Sequence, residues 1–249
     1  MPAPAQDIEL FEDVKLRDAV VLVAFPTTGS AASITAQYLV RNLGLPLVGH
    51  FRHPELAGFV NIQAGKVSSV VRIYGGEVVC KIGKACPRLY IVTSDLGLPP
   101  KTTLTIAERV LAWAASAHLL LVLEAVVRME GDDTPDVFCG ASDAKVLADL
   151  KKAGIPPMER ALLGGLGAQI LLQAPLANAK AATVLVEASR DHPDGRAAAA
   201  LVEAIAKVVP DVQVDPKPLL KEALELEEEI RQAQKQAEPS RTPPPSTYI

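Results

Sequence analysis

The chain has 249 residues, of which 49% are hydrophobic and 22% charged, a composition typical of an ordinary globular protein. Its formal net charge of -4 and the lack of a local Lys/Arg patch argue against nucleic-acid binding. No stretch reaches the roughly 18 uninterrupted apolar residues of a membrane span. Residues 1–15 carry early acidic side chains and no apolar signal core. We therefore expect a cytoplasmic protein that binds neither membranes nor nucleic acids.

The first clear element is a strand followed by a turn and a helix. Residues 19–25, AVVLVAF, form a continuous apolar run that is typical of a strand buried on both faces of a parallel sheet. The turn PTTGS follows. Residues 31–44 then carry apolar side chains at helical spacing and end on Gly44, a residue type that suits a helix C-terminus. The unit is the first half of a β-α-β crossover.

The middle of the chain alternates strands and helices. Residues 46–83 contain short β-rich runs separated by glycines, which indicates hairpins or a meander at a sheet edge. Thr102 or Thr103 is the expected N-cap of the next helix, and Asp194 lies near the start of the last one. Such alternation predicts a largely parallel sheet. Further strands are predicted at residues 88–95, 118–127 and 181–189, and helices at 102–117, 143–154, within 162–179 and at 194–209.

The C-terminal part has a different pattern. Apolar residues from Leu219 to Ala237 recur at alternating spacings of 4 and 3, which predicts a long helix with a heptad-like stripe. Docking of this helix on its own domain and a helix-helix contact between subunits both remain open. The predicted organisation is an N-terminal segment at 1–17, an α/β domain at 18–214, the helix at 215–238 and an extended proline-rich tail at 239–249.

The turn at residues 26–33 is a candidate anion or ligand site. It places Thr28, Gly29 and Ser30 where a strand meets a helix N-terminus, a position that favours bound anions. The turn lacks both GxGxxG and the lysine of a P-loop. A structural alternative explains the same residues, since Thr28 or Ser30 could cap the helix while Gly29 permits the turn. Both interpretations stay open at this point.

No metal site is predicted. His50 and His53 are separated by an odd number of positions on a predicted strand, so their side chains are expected on opposite faces. Asp132, Asp133 and Asp136 miss the spacing of a calcium-binding loop and are more simply interpreted as solvated. We expect neither a cofactor nor a catalytic residue.

Cysteines and glycines add little chemistry. Cys80, Cys86 and Cys139 lack the paired spacing of a zinc or redox site and are interpreted as reduced structural cysteines, with a reactive thiol as the alternative. Residues 164–169, GGLGAQ, indicate either a close backbone approach within the fold or a ligand loop.

Several blocks taken together resemble the proteasome assembly chaperone 2 family, in particular its archaeal members. They are residues 20–51, 162–189 and 192–209, followed by the long acidic helix. The resemblance implies a three-layer αβα sandwich with a mostly parallel sheet, similar to phosphorylases and hydrolases. It also implies a non-enzymatic homo-oligomer that acts on the proteasome core particle.

The C-terminus carries the expected contact with that partner. Some family members end in a hydrophobic-tyrosine-any tail that docks between α-ring subunits, and this chain ends in Thr247, Tyr248 and Ile249. The resemblance thus implies an ATP-independent proteasome activator or assembly chaperone that docks its tails into the α-ring, opening the gate or assisting assembly. The alternative is a nucleoside- or phosphate-binding, phosphorylase-like enzyme that uses the turn at 26–33.

Overall fold

The computed structural model describes residues 8–63, 65–78, 88–128 and 134–225. A further helical segment covers residues 217–225, and short 3-10 turns lie at Thr28–Ser30 and Pro54–Leu56. The strands are β1 (Ile8–Leu10), β2 (Val20–Ala24), β3 (Leu47–Phe51), β4 (Asn61–Gln63), β5 (Lys66–Ser68), β6 (Val71–Glu77), β7 (Arg88–Ser94), β8 (Leu119–Val127), β9 (Val137–Ala141) and β10 (Ala181–Ala188). The helices are α1 (Ala31–Leu43), α2 (Pro100–Ala114), α3 (Ala144–Lys152), α4 (Gly165–Gln173) and α5 (Gly195–Val208).

One eight-stranded sheet organises the chain, in the order β1-β3-β6-β7-β2-β8-β10-β9. Its centre, β7-β2-β8-β10, is parallel, while β1, β3 and β6 on one side and β9 on the other pair antiparallel. Strands β4 and β5 form a separate hairpin. The predicted hairpins or meander at the sheet edge are therefore found. The predicted largely parallel pairing holds only for the four central strands, since four of the seven described pairings in this sheet are antiparallel.

Helices cover both faces of the sheet. In β2, Leu22 points to the face that packs against α1, α3 and α5, whereas Val21 and Val23 point to the face under α2 and α4. All five β2 residues are buried, which explains their unbroken apolar run. The three-layer αβα sandwich is confirmed.

Two predicted helix ends are confirmed. Gly44 follows α1 with φ 62°, the left-handed conformation that glycine adopts without a Cβ clash. Asp194 is the N-cap of α5, where its Oδ1 accepts a hydrogen bond of 2.8 Å from the Ala197 amide.

The predicted start of α2 is wrong. The helix begins at Pro100, two residues before Thr102, because the fixed φ of proline and its missing amide suit the first helical position. Thr102 and Thr103 lie inside the first turn, where both hydroxyls donate to the Pro99 carbonyl oxygen at 2.8 and 3.2 Å.

The beginning of the C-terminal helical segment contacts its own domain. Leu219 and Ala223 are buried, Ala223 lies against Gly195, and the Tyr38 hydroxyl donates to the Asp215 carbonyl oxygen at 2.8 Å. This contact favours docking on the domain for residues 217–225. Residues 226–238 lie outside the described residues, so the extent of the helix and the division into segments stay predictions.

The chain after α3 runs along the edge strand β9. The Cys139 amide donates to the Pro156 carbonyl oxygen at 2.8 Å, and the Met158 amide donates to the Cys139 carbonyl oxygen at 2.9 Å. Cys139 is buried, and this burial raises the pKa of its thiol, which fits the structural role predicted for it. Cys80 and Cys86 lie outside the described residues. Within the described ranges, no helix is long and apolar enough to cross a membrane.

Candidate functional site

The predicted turn lies at the edge where the four parallel strands end. Because β7, β2, β8 and β10 run in the same direction, the segments after them meet at one side of the sheet. In open α/β sheets this edge is the usual place for ligands. The structure therefore brings the turn after β2 to a position where binding chemistry is expected.

Close contacts within the chain determine the conformation of this turn. Thr28, Gly29 and Ser30 form one 3-10 turn, in which Gly29 has φ 58°. The Gly29 carbonyl oxygen accepts a hydrogen bond of 2.8 Å from the Asp194 amide. A Cβ at Gly29 would lie 2.8 Å from the Ser189 carbonyl oxygen, so both the backbone angle and the packing require glycine.

The hydroxyl groups of the turn do not cap α1. Ser30 occupies the N-cap position, but its φ is 50° and its side chain makes no capping hydrogen bond. Capping requires an extended N-cap residue whose side chain reaches the amides of the first turn. The prediction that Thr28 or Ser30 caps the helix is therefore wrong, whereas Gly29 does permit the turn.

A buried ion pair joins the turn to the ends of β8 and β10. The Asp194 carboxylate accepts from Arg128 Nη2 at 3.0 Å, the Ser189 amide at 2.8 Å and the Ala197 amide at 2.8 Å. Its side chain is 2% exposed. Beside it, Thr27 Oγ1 and Arg128 Nε are buried without a hydrogen-bond partner among the described residues.

A second ion pair lies at the same edge, next to β7. Arg72 Nη2 contacts Asp95 Oδ1 at 2.6 Å, and Asn61 Nδ2 donates to Asp95 Oδ2 at 2.7 Å. These residues line a small polar cavity of about 180 Å³ between the hairpin β4-β5 and α1.

An apolar surface is left open beside α4. Leu162, Leu172 and Leu176 are 99%, 73% and 85% exposed, and together we call them the leucine surface. Leu162 and Leu172 also line a groove of about 1000 Å³ that reaches β9 and β10. Large exposed apolar patches are uncommon on monomeric proteins and typically mark sites of association.

One buried acid lies under α4. Glu124, in β8, is 8% exposed, and its burial raises the pKa of its carboxyl group to about 7, opposed by a hydrogen bond from the Gly167 amide. A Cβ at Gly167 would collide with Glu124 Oε1. At this glycine, the close approach within the fold is therefore the interpretation that the geometry favours.

The histidines discussed above have other partners. His50 Nε2 lies 3.2 Å from Glu9 Oε2, and His53 Nδ1 accepts a hydrogen bond of 3.3 Å from the Glu55 amide. In the described part of the chain, no three His, Cys, Asp or Glu side chains are grouped so that they could hold a metal ion.

A sequence model of the PAC2 family matches residues 21–234. The chain belongs to the PAC2 family. This membership confirms the resemblance inferred from the blocks around the first crossover and the last strand and helix. The matched range includes the turn, both ion pairs and the leucine surface.

Solved structures share this PAC2 fold over nearly the whole chain. Pyrococcus furiosus PbaA, an archaeal homologue of proteasome-assembly chaperone, is 25% identical, with a TM-score of 0.81 over 93% of each chain. Pyrococcus furiosus PbaB, an archaeal proteasome activator, is 18% identical, with a TM-score of 0.77 over 91% of this chain and 98% of its own. By sequence, an uncharacterised protein of Methanocaldococcus jannaschii is 24% identical over 90% of this chain and 88% of its own.

The predicted site residues of this PAC2 family member fall into two groups. Thr28, Gly29 and Ser30 lie together in one turn, as their adjacency requires. The tail residues Thr247, Tyr248 and Ile249 lie outside the described residues. Sequence reasoning missed the ion pairs and Glu124, because their partners are distant in sequence. A charged residue inside an apolar strand, as in LLLVLEAVV, is the signal that could have pointed to Glu124.

Proposed function

We propose that this chain is an ATP-independent, non-catalytic proteasome assembly chaperone or activator. The observation that carries the proposal is the likeness to PbaA, a homologue of proteasome-assembly chaperone, at 25% identity over 93% of both chains. Membership of the PAC2 family supports it. The partner is the proteasome core particle, and the protein acts on its α-ring in the cytoplasm.

The C-terminal tail is the proposed docking element. Residues 239–249, extended at about 3.1 Å each, reach up to roughly 30 Å from the preceding helix. A proline-rich spacer is already extended, so little conformational entropy is lost when it binds. The Tyr248 ring fills a pocket between α-ring subunits with its hydroxyl as a polar handle, and the Ile249 carboxylate pairs with a lysine of the partner. Docking opens the gate or assists assembly.

Several tails must act together, because a single short tail binds weakly. We propose a homo-oligomer in which the leucine surface lies against a second copy of the chain. Burial of the exposed side chains of Leu172 and Leu176 would supply the apolar contact. Simultaneous engagement of linked tails raises avidity by roughly 10² to 10⁴.

The test compares the full chain with a version ending at Ser246, using purified core particle. Binding and hydrolysis of a fluorogenic peptide are measured together. We expect the full chain to bind and to raise hydrolysis, and the truncated chain to do neither. Tyr248→Ala should reproduce the loss, while Ser246→Ala, a smaller change in the same tail, should leave both quantities unchanged.

The outcomes separate the parts of the proposal. Equal binding by the full and truncated chains would mean that the folded domain carries recognition, which would favour the assembly role over tail docking. No binding by either form would refute the proteasome as partner. For the oligomer, size-exclusion chromatography with light scattering should show that Leu172→Glu with Leu176→Glu lowers the mass, whereas Leu104→Glu on α2 does not.

A second candidate function is a nucleoside- or phosphate-binding, phosphorylase-like enzyme that uses the turn at 26–33. The buried Thr27 hydroxyl and Arg128 Nε favour it, because neither has a partner among the described residues. Millimolar binding of a nucleoside that is lost in Ser30→Ala would support this function. Failure to bind phosphate, nucleosides or ATP at millimolar levels would eliminate it.

A further inference from the structure

We infer that the polar cavity beside β7 is a binding site for a small oxyanion of the phosphate or carboxylate type. The cavity of about 180 Å³ lies at the end of β7 and the start of β6, between the hairpin β4-β5 and α1. It is separate from the turn at 26–33, none of whose residues lines it. Its walls include two arginines, Arg41 and Arg72, and one acid, Asp95.

Arg72 is the central group of this site. In β6, Val71 and Ile73 point into the core under α2, so strand alternation directs Arg72 to the opposite face, towards α1. Its side chain is 3% exposed. A guanidinium buried to this degree is costly unless its donors are paired.

Only one of the three nitrogens of the Arg72 guanidinium has a hydrogen-bond partner among the described residues. Nη2 donates to Asp95 Oδ1 at 2.6 Å, whereas Nε and Nη1 of Arg72 have no hydrogen-bond partner among the described residues. The Tyr74 ring, 5.8 Å from the guanidinium carbon, offers a face but no acceptor atom. A charged side chain that lines the cavity thus keeps two buried donors without a partner among the described residues.

Asp95 does not provide the missing acceptors, because its oxygens are shared with other donors. Asn61 Nδ2 donates to Oδ2 at 2.7 Å, and Gln37 Nε2 lies 3.5 Å from Oδ1. The carboxylate also retains 28% exposure, so solvent screens part of its charge. With Arg41 on the α1 side, the cavity keeps a net positive charge.

Neighbouring polar groups fit an oxyanion. Thr93 lies directly opposite Arg72 in the β6-β7 register, and its Oγ1 is buried without a partner among the described residues. Asn61 Oδ1 is unpartnered in the same sense and can accept from a ligand hydroxyl. Guanidinium and hydroxyl donors with one acceptor match hydrogen phosphate, while a carboxylate uses the donors alone. A metal cation would face unpaired N–H groups and is disfavoured.

The experiment titrates the full-length protein with inorganic phosphate and, separately, with acetate, at low ionic strength. Isothermal titration calorimetry should show one saturable site per chain, and the tighter of the two anions identifies the class. Arg72→Gln should weaken binding at least about tenfold, because it removes a charge-assisted contact. Thr93→Val, which keeps the shape of the side chain, should weaken it about threefold or more.

Two matched variants locate the site. Arg88→Gln removes an arginine of β7 that is paired with Glu77 at 3.2 Å and does not line the cavity, so binding should not change. Ser30→Ala should also leave it unchanged. Because Asn61 and Gln63 belong to the hairpin over the cavity, bound phosphate should slow amide exchange in residues 61–63.

Absence of saturable binding by both anions up to about 20 mM, roughly 2 kcal/mol of affinity, would overturn the inference. So would binding that survives both Arg72→Gln and Thr93→Val, or binding that is lost in Ser30→Ala. If Arg72→Gln does not fold, Thr93→Val and the amide exchange of the wild-type chain decide the question. The site does not rest on the proteasome-related function, so either proposal can fail alone.

Discussion

Two arginine-aspartate pairs lie at the same edge of the sheet, and they are built in opposite ways. In Arg128–Asp194 the aspartate is the more buried partner, with 2% exposure against 16%. In Arg72–Asp95 the arginine is the more buried, with 3% against 28%. Asp194 also accepts two backbone amides, while Arg72 keeps two nitrogens, and Arg128 one, without a partner among the described residues. The number of occupied hydrogen-bonding positions, rather than the ion-pair distance, distinguishes the two pairs. We call Arg128–Asp194 the structural clamp and Arg72 the binding arginine.

Removal of Asp194, the buried acid of the structural clamp, should have the largest effect on stability. Asp194→Ala eliminates a helix cap, the bond from the Ser189 amide and the partner of Arg128. Because a buried charge is then left unpaired, we expect the free energy of unfolding to fall by about 3–5 kcal/mol. Chemical denaturation followed by circular dichroism measures it.

Asp143→Ala provides the matched control. Asp143 caps α3 through bonds from the Lys145 and Val146 amides, but it is exposed and has no arginine partner in the described structure. Its loss should cost only about 1 kcal/mol. Equal costs for the two variants would show that Asp194 acts merely as a helix cap.

Glu124 is a buried acid without an arginine partner, which extends the comparison. Burial raises the pKa of its carboxyl group and the Gly167 amide lowers it, and no cation among the described residues contributes. Its pKa of about 7 in the folded protein exceeds the ordinary value of 4.5, so the folded state binds the proton more tightly. The contribution of Glu124 to the stability of the folded protein is therefore fully present below about pH 4.5 and is lost as the pH rises through about 7. Glu124→Gln should therefore be more stable than the wild type at about pH 8, by roughly 3 kcal/mol.

The measurement is the free energy of unfolding across pH 4 to 8. The fall seen in the wild type should shrink in Glu124→Gln, because glutamine keeps an oxygen for the Gly167 amide and never ionises. Glu203→Gln, on the exposed face of α5, should retain the wild-type profile. An unchanged profile in Glu124→Gln would contradict the raised pKa.

The contact between the turn and the clamp can be tested through Gly29. Gly29→Ala introduces both an unfavourable φ and a Cβ 2.8 Å from the Ser189 carbonyl oxygen, so it should cost about 2 kcal/mol. Gly44→Ala meets an equally positive φ but open space and should cost about 1 kcal/mol. Thermal unfolding of the two variants isolates the packing contribution. Equal losses of stability in the two variants would mean that the turn is not in close contact with Ser189.

Loss of the binding arginine should have the smallest effect on stability. Arg72→Gln leaves Asp95 with the Asn61 amide and with solvent, and it removes donors that the described residues do not satisfy. We expect a cost of about 1 kcal/mol, well below that of Asp194→Ala. A cost as large as that of Asp194→Ala, measured by the same denaturation experiment, would place Arg72 among the structural clamps and remove the contrast between the pairs.

Local physics explains why much of the fold was predictable from sequence. Continuous valine-rich runs specify strands buried on both faces, and Gly44 and Asp194 mark helix ends through backbone chemistry that acts over a few residues. The start of α2 was missed because Pro100 and the hydroxyls of Thr102 and Thr103 offer competing N-terminal signals.

The candidate sites were less predictable, because they depend on contacts between distant residues. Arg128 and Asp194 are 66 positions apart, and Arg72 and Asp95 are 23 apart. The glycine-serine turn was recognised, but sequence alone could not show that the chain around Ser189 fills the space beside Gly29. The docking role of Tyr248 stays a prediction.

The segment that runs along β9 occupies part of an edge of the sheet that another backbone could otherwise reach. An open edge strand is a template for the backbone of another molecule and a common start of fibrous aggregation. At Cys139 the backbone bonds with Pro156 and Met158 already occupy that edge, and prolines at 156 and 157 supply no amide for further pairing. At this position the β9 edge is thus protected from pairing with the backbone of another chain.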